Sequence, residues 1–166
     1  MATLSNPAFV SMRRNDESME EIWERESAIF ISVGVAADAN RIFQALTIPE
    51  YLEAWIRLPD QVDGSKVVVS QESDGYRLDH TRAGDLVASI RSTFLFCHHR
   101  KMQLFWQSLT SPLRTASRVD FRIRGNFGSS ILELRHRGLS SFNEFLWHQQ
   151  LWCVSLARLT SLLKTV

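Results

Sequence analysis

Two histidines stand where strand alternation turns them to an apolar side. His80 shares a face with Tyr76 and Leu78, and His136 shares one with Leu132 and Leu134. An imidazole is both a general acid/base and a hydrogen-bonding contact for a ligand. Gln149 adds a third polar group, between Phe145 and Trp152 on one helical stripe. An apolar pocket with a few polar groups is what a small-molecule site needs. Other candidates fail on geometry. Asp79 and His80 are strand neighbours, so their side chains diverge and form no dyad. His98 and His99, next to Cys97, diverge likewise, and no third ligand has the spacing for a metal; they are expected in an exposed turn. There is no Ser/His/Asp order, no phosphate loop and no dinucleotide fingerprint. The sequence therefore names no catalytic residue, and no cofactor is expected.

The large aromatics come next. Trp55, Trp106, Phe121 and Trp152, with Tyr76, either line a pocket or fill a core, and five Trp and ten Phe suffice for both.

These groups need elements to position them. Residues 28–35 read as a strand. Asp38 is placed to cap a helix carrying Ile42, Phe43 and Leu46. Thr47-Ile-Pro-Glu50 reads as a capping box with Pro49 as first residue of a second short helix. Strands follow over residues 65–72, 76–82, 86–97 (with a bulge near Arg91), 101–108, 116–124 and 129–137, with turns expected at Asp74-Gly75 and Gly84-Asp85. Ser141-Phe-Asn-Glu144 opens a long helix. Its core stripe reads Phe145, Gln149, Trp152, Leu156, Leu159 and Leu163; a second stripe reads Trp147, Leu151, Val154 and Leu162. The class is α+β: a curved antiparallel sheet of about six to seven strands, two short helices after the first, and a long C-terminal helix across the concave face.

The chain has 166 residues, the size of one domain. Residues 1–27 read as an extension, partly helical or disordered. Its short apolar stripe is Met19, Ile22 and Trp23, with Ser18 as cap. The net charge of +1 excludes a globally basic polyanion binder. It hides a division: residues 13–26 sum to −3 and residues 91–137 to +7. Arg118, Arg122, Arg124, Arg135 and Arg137 share the convex face of two strands, which suits an acidic protein partner. Nucleic acid is not expected, for want of interleaved aromatics. The second helical stripe suits a homodimer or a cover by the N-terminal arm. Cys97 and Cys153 read as reduced, buried thiols in a cytoplasmic protein, and no run reaches the length of a membrane span.

Three stretches resemble the START-like (SRPBCC) superfamily, in the branch similar to activators of the heat-shock chaperone ATPase. They are the two-helix signature of residues 41–55 with its Leu46-Thr-Ile-Pro-Glu50 corner and Trp55, the strand of residues 100–106 ending in Trp106, and residues 134–139 followed by Trp147, Trp152, Leu156, Leu159 and Leu163. His98-His99 stands where that family has a Pro pair, and Asp63-Gly64 where it often has a Gly pair. The resemblance covers residues 28–164 and implies a helix-grip fold with a cavity between sheet and long helix. It implies binding of a small apolar molecule, cyclase-type catalysis or a protein-interaction role; an enzyme of cyclase or dehydratase type would use His80 or His136, the histidines on the apolar strand faces, as general acid/base. The expected ligand-contacting set is Trp55, Tyr76, His80, Trp106, Phe121, His136, Gln149 and Trp152.

Overall fold

Strand β1 covers Ile29–Val35, and two short helices follow, α1 over Ala39–Thr47 and α2 over Pro49–Trp55. Six strands come next: β2 (Ser65–Glu72), β3 (Gly75–Arg82), β4 (Asp85–His98), β5 (Lys101–Ser108), β6 (Ala116–Asn126) and β7 (Ser129–Arg137). Helix α3, Phe142–Lys164, ends the described chain. This computed structural model describes residues 28–59, 65–110 and 116–164. The expected N-terminal arm, with its Met19–Ile22–Trp23 stripe, lies outside the described residues.

The strands form one curled antiparallel sheet in the order β1-β7-β6-β5-β4-β3-β2. The α+β reading of the sequence is therefore the observed architecture. Alternation decides which face is inside. Ser130, Leu132, Leu134 and His136 of β7, and Val119, Phe121 and Ile123 of β6, are buried, as are Tyr76, Leu78 and His80 of β3. Helix α3 covers that inner face with Leu151, Trp152, Leu156, Leu159 and Leu163.

Polar side chains fasten these layers at defined points. The Asp38 carboxylate accepts from the Arg41 N–H at 2.9 Å, the expected cap of α1. Trp55 donates its indole N–H to the Ala45 carbonyl at 2.8 Å and locks α2 against α1. The Ser155 hydroxyl accepts from the Arg57 N–H at 2.9 Å and donates to the Arg57 carbonyl at 3.2 Å, which ties α3 to the segment after α2. The Glu53 carboxylate accepts from the Val69 N–H at 2.8 Å, occupying a donor that edge strand β2 would otherwise present to other chains.

Several local expectations are corrected. The box at Thr47 does not form: Ile48 is the cap without a side-chain bond, and Thr47 donates to the Phe43 carbonyl within α1. A hydroxyl still able to bond back to its own helix is lost to the next one. At α3 the Glu144 N–H does bond Ser141, but the Glu144 carboxylate turns to Ser140. Leu151 is buried, not part of an outer stripe, while Gln149 is only half-buried. β4 is irregular at two places, at Val87 against β3 and between Phe94 and Phe96 against β5, on either side of Arg91 rather than at it. The β2–β3 turn is Ser73-Asp74, one residue early, because Glu72 already pairs with Gly75. The β3–β4 turn is likewise early, at Ala83-Gly84, where both residues have positive φ as a twist-matched two-residue hairpin requires. Cys97 and Cys153 are exposed rather than buried, since each falls on the solvent side of its element.

Candidate functional site

The middle of the inner face is occupied by a ring cluster. Trp106 projects from β5, His136 from β7, and His148 and Trp152 from one face of α3 at i, i+4 spacing. The His136 and His148 rings meet edge to face with centroids 4.6 Å apart. Trp106 and Trp152 lie 5.1 Å apart, and Phe121 packs edge-on against Trp152 at 5.8 Å.

Hydrogen bonds fix the proton positions in this cluster. An indole N–H only donates. Trp152 donates to Nδ1 of His136 at 3.0 Å, so Nδ1 bears no proton and Nε2 bears one. That Nε2–H faces the Ser117 hydroxyl at 2.6 Å, which in turn donates to the Trp106 carbonyl at 3.2 Å. Trp106 donates its indole N–H to Nε2 of His148 at 3.1 Å, leaving the His148 Nδ1–H to donate to the Glu144 carbonyl at 2.7 Å. The two imidazoles are thus neutral and held as opposite tautomers. Burial holds His136 well below the usual histidine range, and the neighbouring His148 lowers it further. Burial also lowers His148, against a raising contribution from its bond to the Glu144 carbonyl.

Each imidazole has both nitrogens engaged by the protein, which leaves neither for a substrate. His80 sits elsewhere, buried on β3 opposite Val67 of β2 and Ala88 of β4, four strand positions along the sheet from His136. The two histidines therefore do not converge. Tyr76, four residues earlier on β3, is buried edge-on to Phe94 at 5.9 Å. Burial pushes its phenol up to about 12. Trp55 is spent locking α2, and Gln149 stands at the side of α3 away from the ring cluster's hydrogen bonds.

Space for a ligand lies at one end of the cluster. A cleft of about 350 Å³ opens between β4 and the N-terminal half of α3. Val87, Ala88 and Ile90 form one wall; Trp147 and His148 form the other, with Glu144 and Asn143 at the rim. None of the eight residues expected from sequence lines it. Trp106 and His136 reach it only through His148, the residue the sequence reading missed. Its signal was present: His148, Trp152, Ser155, Leu159 and Leu163 keep helical spacing on one face.

On the outer face of the sheet, the arginines pair in part as a solvated surface does. Asp120 lies 3.5 Å from both Arg118 and Arg137, and Arg124 bonds Glu133. Two exposed phenylalanines interleave with them, contrary to the expectation that no aromatic would: Phe105 is paired across strands with Arg118, and Phe30 with Arg135. Among the described residues, no group of three metal-ligating side chains is placed to hold an ion, and no helix is long and apolar enough to cross a membrane.

Solved proteins share this architecture. A protein from Chromobacterium violaceum matches with a TM-score of 0.70 at 13% identity, over 84% of this chain and 99% of its own. The AHSA1 protein from Silicibacter pomeroyi matches with a TM-score of 0.66 at 16% identity, over 82% of this chain and 97% of its own. The Aha1 dimer from Colwellia psychrerythraea gives 0.59 at 18% identity, over 83% and 96%. The chain has the START-like, helix-grip fold. The resemblance carried by residues 41–55, 100–106 and 134–139 is thereby borne out as a matter of fold. No family model matches the sequence, and no curated protein matches it closely.

Proposed function

We propose that this START-like domain is a binding module that holds a small, mostly apolar molecule in the cleft between β4 and α3. The observation that carries this reading is the cleft itself. Its volume of about 350 Å³ falls within the range of ligand sites, and Val87, Ala88, Ile90 and Trp147 make its walls apolar. Among the described residues no cationic side chain lines it, and the carboxylate that does, Glu144, is engaged by Ser140 at 2.7 Å. That lining favours neutral molecules over anionic ones. Catalysis by His136 is not part of this reading, because both of its ring nitrogens are engaged within the protein. Two exposed thiols outside any disulfide fit a cytoplasmic location.

Native mass spectrometry of the purified protein tests the reading. Wild-type protein should carry a retained molecule, and Ala88→Phe, which fills the cleft, should lose it while keeping the wild-type circular dichroism spectrum. An Ala88→Phe protein that retains the same molecule would overturn the assignment to this cleft.

A homodimer has one specific support. Val154 and Leu162 stay exposed on the outer side of α3, beside an open groove shared with Ala54 of α2, and the Colwellia psychrerythraea protein is a dimer. Light scattering of wild type and Val154→Glu reads the mass directly: a dimer that becomes a monomer supports this surface, and a wild-type monomer removes it.

A further inference from the structure

The outer face of β1, β7, β6 and β5 carries a second, independent feature. Register places Phe30 beside Arg135, Arg122 beside Glu133, and Lys101 beside Arg122. These groups wall a recess of about 250 Å³ on the sheet surface. The two acids within it are already engaged: Asp120 by Arg118 and Arg137, and Glu133 by Arg124. Among the described residues, no carboxylate forms an ion pair with Lys101, Arg122 or Arg135. Phe30, 64% exposed, stands among these cations.

The occupant of complementary chemistry belongs to the same chain. Residues 16–26 hold six acids and one arginine, a net charge of −5, with Met19, Ile22 and Trp23 spaced as one apolar stripe. This segment runs directly into β1, and Glu26 stands four residues before Phe30. The strand that brings the acidic segment in thus forms one wall of the basic recess. Even as a helix, at about 1.5 Å per residue, the segment is about 16 Å long and spans the two and three strand spacings of about 4.8 Å that separate Arg122 and Lys101 from β1. A tether this short gives an effective concentration on the order of millimolar, so weak individual ion pairs suffice.

We infer that residues 16–26 dock across the outer sheet face of their own chain, with their carboxylates on Lys101, Arg122 and Arg135 and their apolar stripe over Phe30. The docked segment covers the exposed phenyl ring and neutralises the cations. An outside acidic partner must displace it to reach this face.

Zero-length carbodiimide coupling of the full chain tests this, because the chain has only three lysines, Lys66, Lys101 and Lys164, and just one of them is on this face. A mixture of unlabelled and nitrogen-15-labelled protein separates couplings within a chain from those between chains. Coupling of residues 16–26 to Lys101 within one chain should clearly exceed coupling to Lys66 or Lys164, which share the tether but not the docked contact. It should fall several-fold in 0.5 M salt, where the screening length is about 4 Å. The exposed double variant Arg122→Gln/Arg135→Gln should lower it similarly. Equal coupling to all three lysines, or no coupling, overturns the inference. Coupling to Lys101 only between differently labelled chains also overturns it, and assigns the segment to a second copy.

Discussion

The indole N–H of Trp152 donates to Nδ1 of His136 at 3.0 Å, and that bond forbids a proton on Nδ1. A charged His136 would set two donors nose to nose inside the core. His148 is under the same constraint, because Trp106 donates to its Nε2 at 3.1 Å. The fold thus contains two imidazoles that must stay neutral to stay in place.

Stability should therefore fall in mild acid. Both folded values are lowered from the usual histidine value of 6.5. In the unfolded chain both rings take up protons near that value, and the folded protein refuses them. The unfolded state then binds more protons, so stability is fully present above pH 6.5 and is lost as pH falls toward the folded values. Each ring adds a slope of up to about 1.4 kcal/mol per pH unit. Urea unfolding at pH 7.5, 6.5 and 5.5 should show this, and His136→Asn/His148→Gln should flatten the dependence between the two upper and the lowest pH. A wild-type stability that is level from pH 7.5 to 5.5 would remove the account.

Trp152→Phe isolates the bond itself. The phenyl ring keeps much of the packing against Phe121 and Trp106 but leaves the buried Nδ1 of His136 without its donor. An orphaned buried acceptor costs about 1–3 kcal/mol, to which some lost packing adds. The same variant removes the clash that opposes protonation, so its stability should decline less steeply in acid than that of wild type. Parallel acid profiles for the two proteins would count against the hydrogen bond as the cause.

Much of this fold could be read from sequence, because alternation is local. Val119, Phe121 and Ile123 of β6, and Leu132 and Leu134 of β7, are buried as their spacing requires. Asp38 caps α1 for the same local reason. On α3 the pattern was ambiguous: apolar residues lie on both flanks of Trp152, and only the partner surface decides that Leu151 goes in. His148 and Ser155 are polar residues on the buried side because Trp106 and Arg57, distant in sequence, offer them bonds. The cleft was illegible for a related reason. It is the space left where Val87 and Ala88 fail to meet Trp147, which no periodicity encodes.

Ser155→Ala tests the fastening of α3 to the segment after α2. The hydroxyl serves both backbone groups of Arg57, accepting from the N–H at 2.9 Å and donating to the carbonyl at 3.2 Å. Its removal strips both groups of a partner, at a cost of about 1–3 kcal/mol. A drop in thermal midpoint with unchanged far-ultraviolet circular dichroism is the expected result; an unchanged midpoint would mean that water replaces the hydroxyl without penalty.

Gly75 and Gly34 make a matched pair of opposite sign. Both lie in strands, and neither has a positive φ. A Cβ on Gly75 would stand 1.8 Å from the Ser92 carbonyl oxygen and 2.8 Å from its carbon, both backbone atoms held by the β3–β4 ladder. Nothing flexible can give way there, so Gly75→Ala must displace β4 or break the pairing beside the β2–β3 turn. The expected loss is about 3 kcal/mol or more, the range of a forced overpacking with a broken ladder bond. A Cβ on Gly34, by contrast, meets nothing within 4 Å on edge strand β1. Gly34→Ala reduces the freedom of the unfolded chain without native strain and should stabilise by about 0.4–1 kcal/mol. Chemical denaturation of the two variants side by side reads both signs. Equal effects would show that strand propensity, rather than the approach of Ser92, governs these positions.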